Sequence, residues 1–81
     1  MEDCRRQDLI PLGLAIRELR EQRGLQAGDL AAAAGVDLGR LEALEDGRLD
    51  PGFQLLLALA QAMGVRTSTI FVRAEELGSA D

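Results

Sequence analysis

An all-α domain of five helices is the fold class that this sequence predicts, on three observations. Apolar residues recur every three or four positions over most of the chain, which is the period of a helix buried on one face. Strand-forming residues are scarce, with aromatics at 2% of the 81 residues, two Phe and no Trp or Tyr. Glycines such as Gly24, Gly47 and Gly64 stand where an apolar period breaks, as helix stops. The length suits a single small domain with a core of Leu, Ala, Ile, Val, Phe and Met, and leaves too little interior for a deep catalytic cleft.

The first helix is expected from Ile10 to Arg23. Leu12, Ile16 and Leu19, with Ala15 beside them, form its inner stripe, while Arg17, Arg20 and Arg23 alternate with Glu18 and Glu21 outside. Residues 1–9 are expected as a polar N-terminal arm. The second helix, from about Gln26 to Ala33, buries Leu30 and the neighbouring alanines, and Gly28 inside it costs about 1 kcal/mol relative to Ala. Its run of four alanines, Ala31 to Ala34, reads as a close-packing surface, because Ala offers no chemistry and permits near approach.

A tight turn follows. Gly35 takes the positive φ that the reversal requires, Val36 plugs the angle between the helices, and Asp37 caps the next helix by accepting its free N–H groups. The third helix then runs from Leu38 to about Asp46, with Leu41 and Leu44 inward. Leu38, Gly39, Glu42, Ala43 and Asp46 fall on the outward side, with Arg40 at its edge. Two short helices at this spacing form a helix-turn-helix, whose second member ordinarily lies in the DNA major groove. After a loop from Arg48 to Gly52, Pro51 suits a helix start, and Phe53 to Met63 is apolar on most sides, as a central core helix would be. A fifth helix, about Thr67 to Val72, presents Ile70, Phe71 and Val72, and residues 74–81 are expected to fray. The domain proper is thus residues 10–73.

Charge runs against the motif. All nine cations are Arg, against fourteen acids, giving a net charge of −5. Residues 1–23 balance at five Arg and five acids, whereas residues 24–52 hold two Arg and six acids. The deficit lies in the segment that would meet a phosphate backbone, where affinity comes mainly from cations.

Other function classes are excluded by what the chain lacks. There is no His, Cys4 has no base beside it, and no paired carboxylates, metal-ligand spacing or phosphate-cradling glycine loop occurs. An enzyme, a metal site and a cofactor are therefore not expected. The lone Cys4 reads as an incidental exposed thiol of a reduced cytosolic protein. No apolar run approaches the ~20 residues of a membrane span, so a soluble cytoplasmic protein is expected.

These residues resemble the lambda-repressor-like domains of the Cro and XRE type. The likeness rests on Leu12-Gly13, Ile16-Arg17, Leu19-Arg20, Gly24-Leu25, Leu30-Ala31, Ala34-Gly35-Val36, Leu41, Leu44-Glu45 and Gly47. It continues through Pro51, Leu56, Leu59-Ala60, Ala62, Gly64-Val65 and Ile70-Phe71, and so spans residues 10–72. The resemblance implies a sequence-specific DNA-binding transcriptional regulator, a small homodimer of the repressor type acting on a double-stranded operator. It also implies an ion pair between Arg20 and Glu45, tying the first helix to the end of the recognition helix.

Carried over position by position, the resemblance nominates Gln26, Ala27, Asp37, Leu38, Gly39, Arg40, Ala43 and Arg48 as the DNA-facing set, with Ile70, Phe71 and Val72 as the dimer patch. Within that set, Arg40 alone has the fork that reads guanine, Leu38 and Ala43 offer contact to thymine methyl groups, and Arg48 is a phosphate donor. A competing reading stays open: an acidic helix-turn-helix module that binds a protein partner and not DNA. The stretch Leu41 to Gly47 is similar to the recognition helix of certain membrane-tethered cell-shape proteins, which use such a domain to hold a cytoskeletal partner.

Overall fold

Six side chains shut off from water, Ile16, Leu30, Leu41, Leu44, Leu59 and Ile70, come from all five helices and meet in one core. Each such burial is worth about 1.5–3 kcal/mol relative to exposure. The computed structural model describes residues 3–78, and the side chains of residues 9–78. The helices are α1 (Asp3–Gln22), α2 (Ala27–Ala34), α3 (Leu38–Glu45), α4 (Gly52–Met63) and α5 (Thr67–Gly78). Helix α1 packs on α3 and α5, α2 packs on α3 and α4, and α4 on α5. Among the described residues there is no strand, and no single helix is long and apolar enough to cross a membrane.

The internal boundaries fall within a residue of expectation, but both ends of the fold differ. Helix α1 starts at Asp3 rather than Ile10 and carries Pro11 inside it, so residues 3–9 are a helical extension and not an arm. Proline lacks the N–H that would bond four residues back, so the sequence pattern marks a helix start beside it. The thiol of Cys4 lies outside the described side chains.

Helix α5 continues to Gly78, where fraying was expected from residue 74. Three contacts hold it. Ala74 packs against the core, Arg73 donates to Glu18 of α1 and to Glu76 one turn on, and Gly78 passes so near Pro11 that an added Cβ would lie 3.4 Å from its ring. The hydrogen bond from Arg73 holds the Glu18 carboxyl below its ordinary pKa, and both carboxylates hold Arg73 firmly charged. Helix α4 is less central than its composition suggests. Leu56, Leu59, Ala60 and Met63 are buried, but Phe53 is 66% exposed and Leu57, one turn later, is also at the surface. Its apolar residues exceed what one face can bury.

Candidate nucleic-acid interface

The outward face of α3 is set by how the helix is held at both ends. At its start, Gly35 adopts φ +71°, so that the Val36 N–H bonds the Ala31 carbonyl at 2.9 Å and closes α2. Val36 packs against the core in the angle between the helices. Asp37 then caps α3, its carboxylate accepting the Gly39 N–H at 3.0 Å. Among the described residues Arg40 makes no ion pair.

At the far end, Glu45 is buried and receives two hydrogen bonds from Arg20, Nε to Oε2 at 2.8 Å and Nη2 to Oε1 at 3.1 Å. The third guanidinium nitrogen, Nη1, donates to the Leu25 carbonyl at 3.0 Å. One side chain thus joins α1, the α1–α2 turn and α3. The hydrogen bonds to Glu45 raise the Arg20 pKa further above its ordinary value, against the opposing effect of burial.

Two glycines let α1 and α3 touch. A Cβ at Gly13 would stand 2.3 Å from the Leu44 carbonyl oxygen and 2.7 Å from that of Glu45. At Gly47, with φ +77°, a Cβ would fall 2.8 Å from Cγ1 of Ile10. The sequence pattern marks Gly47 as a helix stop, whereas the close approach at both positions depends on the crossing of two helices distant in the chain.

With Leu41 and Leu44 anchored, Asp37, Leu38, Gly39, Arg40, Glu42 and Asp46 are exposed on the opposite side of the motif, together with Gln26 at the start of α2. Most of the nominated DNA-facing residues are therefore exposed, at the start of α2, along α3 and just after it. Two differ. Ala27 packs against the core and Ala43 is half-buried, so neither methyl is fully available to a base.

The face is electrostatically restrained. Asp29 accepts the Gln26 N–H at 3.3 Å and Asp50 accepts the Gly52 N–H at 3.3 Å. With Asp37 on Gly39, carboxylates occupy amides at the starts of α2, α3 and α4, positions that otherwise attract phosphate. Arg48 is exposed but paired, its Nη2 lying 3.2 Å from Oδ2 of Asp46. This pair is not apparent in the sequence, since residues two apart do not face each other on a helix. The left-handed Gly47 between them turns the chain back.

The dimer patch needs a correction. Ile70 is 0% exposed and belongs to the core, so it is not part of any outer surface. Phe71 and Val72 remain, 44% and 52% exposed. Burying all three would require one short helix to present three adjacent faces inward.

Comparison with known proteins agrees with this geometry. The family described as helix-turn-helix domain matches residues 11–69. The HTH-type transcriptional regulator DdrOP3 of Deinococcus deserti is 36% identical over 63 residues, which are 78% of this chain. The chain spans about half, 49%, of that relative's length. Among solved structures, the restriction-modification controller protein C.AhdI from Aeromonas hydrophila superposes with a TM-score of 0.78 at 31% identity, over 79% of this chain and 97% of that one. The clp gene regulator ClgR from Corynebacterium glutamicum superposes with a TM-score of 0.86 at 28% identity, over 91% of this chain and 78% of its own. With its capped turn, its buried Arg20–Glu45 tie and these relatives, the chain belongs to the helix-turn-helix domain family, in its lambda-repressor-like, Cro and XRE form.

Proposed function

We propose that this chain is a DNA-binding transcriptional regulator, a cytoplasmic homodimer of the repressor type that recognises a two-fold symmetric operator. The observation that carries the reading is the first turn of α3, where Leu38, Gly39 and Arg40, which has no ion-pair partner among the described residues, are exposed on a helix held at both ends. The names of DdrOP3 and ClgR, both regulators, support it. In this reading α3 enters the major groove, Arg40 makes a bidentate contact to O6 and N7 of guanine, Leu38 meets a thymine methyl, and Gln26 and Arg48 donate to phosphate. Two copies then place two α3 helices about one DNA turn apart.

The test is to incubate the protein with sheared DNA of its own source at low salt, sequence what is retained, and measure affinity for the enriched site. Arg40→Ala is expected to weaken that site by about 5- to 150-fold, the equivalent of about 1–3 kcal/mol for one bidentate base contact, with an unchanged helical circular dichroism spectrum. Unaltered affinity for the site would remove Arg40 from the mechanism. For assembly, Phe71→Asp is expected to turn a dimer into a monomer in chromatography with light scattering; a variant that stays dimeric places the interface elsewhere.

A second reading is favoured by a different observation, the carboxylates of Asp29, Asp37 and Asp50 on the helix starts. A face so neutralised suits a basic or apolar protein surface. Salt separates the two readings, because binding to DNA falls steeply as salt rises and an apolar protein contact does not.

A further inference from the structure

We propose that Asp46 is an internal competitor for phosphate, which weakens the contact of Arg48 with DNA and leaves binding to depend chiefly on the base contacts of Arg40. The inference rests on the DNA-binding reading above. Residues 24–52 contain two cations, and the structure treats them differently: Arg40 is unpaired among the described residues, and Arg48 is held by Asp46 at 3.2 Å.

The pairing is built into the backbone. The Gly47 N–H bonds the Leu44 carbonyl at 3.0 Å and the Arg48 N–H bonds the Ala43 carbonyl at 2.9 Å, so the chain folds back at Gly47 and residues 46 and 48 meet. Asp46 donates its N–H to the Glu42 carbonyl at 3.0 Å, but its charged side chain does nothing for the helix it ends. It is the C-cap of α3, and a negative charge at a helix C-terminus is opposed by the helix dipole. Among the described residues its carboxylate takes one hydrogen bond, from Arg48.

Both side chains are exposed, 52% for Asp46 and 68% for Arg48. An exposed pair of this kind is weak, so a duplex phosphate can displace Asp46 from Arg48. Doing so leaves the carboxylate unpaired close to that phosphate, an arrangement that lowers the gain from the contact. On any duplex that small gain is all that Arg48 supplies. An operator adds the base contacts of Arg40, so with Asp46 in place those contacts carry a larger share of the binding free energy.

The test compares wild type, Asp46→Asn, Arg48→Ala and the double variant on two labelled duplexes, one random in sequence and one carrying the site recovered from source DNA, by anisotropy over a range of salt. Asn keeps the shape and removes the charge, so D46N is expected to show wild-type circular dichroism and a thermal midpoint no lower than wild type. It is expected to bind random DNA about three- to tenfold more tightly at low salt, with a salt dependence steeper by about one phosphate contact, and to gain by a similar factor on the specific site. In the R48A background the same substitution is expected to gain little. Equal gains with and without Arg48 would reduce Asp46 to a general negative charge and overturn the proposal, as would no gain in D46N. If neither wild type nor D46N binds either duplex at the lowest salt, the DNA-binding reading itself fails, and this inference with it.

Discussion

Arg20→Met is expected to destabilise the domain by about 3–5 kcal/mol, because it leaves the carboxylate of Glu45 buried without a partner. Glu45 is 6% exposed, and its two oxygens take their hydrogen bonds from Arg20. The same substitution removes the donor to the Leu25 carbonyl. Chains of this size have about 0.05–0.15 kcal/mol of stability per residue, so such a loss unfolds much of the population. Glu45→Leu should be costly for the mirror reason, leaving a guanidinium in the same place. The double variant R20M/E45L should recover most of the loss, since two apolar groups of similar volume need no partner. Urea unfolding of the three variants and the wild type checks this at one pH. A double variant as unstable as the sum of the singles would show that the pair contributes net stability and not chiefly geometry.

Gly13→Ala should cost about 1–3 kcal/mol or more, the range for overpacked sites, even though Ala is the better helix former by about 1 kcal/mol. The reason is what the methyl would meet. Carbonyl oxygens of Leu44 and Glu45 stand 2.3 and 2.7 Å from its position, and backbone has no alternative rotamer. Helices α1 and α3 must part, which also stretches the Arg20–Glu45 tie and tilts the outward face of α3. Gly28→Ala is the control, since an added Cβ there meets nothing within 4 Å and the glycine is not at positive φ. That variant is expected to gain about 0.5–1 kcal/mol. Thermal unfolding of both separates propensity from packing, and a stabilised G13A would contradict the close approach.

The five helices were legible because their determinants are local. Leu30, Leu41 and Leu44 lie at helical spacing, Gly35 and Asp37 mark the turn, and all are where the pattern places them, the three leucines fully buried. The pairing of Arg20 with Glu45 came from family resemblance, and the bidentate geometry bears it out. The ends of the domain were less legible. A proline and a polar run obscured the first turns of α1, and α5 owes its last turns to Arg73 reaching Glu18, a contact 55 residues apart in sequence.

The DNA-facing set shows the same division. Exposure of Leu38, Gly39 and Arg40 follows from the burial of Leu41 and Leu44, by helical geometry alone. Whether a given cation on that face is unpaired does not follow, because ion pairs depend on which side chains the turns bring together. Among the described residues Arg40 has no carboxylate partner, and Arg48 has one across a left-handed glycine.

The sequence by itself determined the five-helix class, the turn between α2 and α3 and the identity of the outward helix, since period, cap and glycine act over a few residues. The tertiary structure alone decided that Ile70 is core, that Gly13 must be glycine and that Arg48 is paired with Asp46 while Arg40 has no partner among the described residues. Each of those depends on distances between groups in the folded chain, set by helix crossings and by how one turn brings side chains together, and such distances have no local sequence signature.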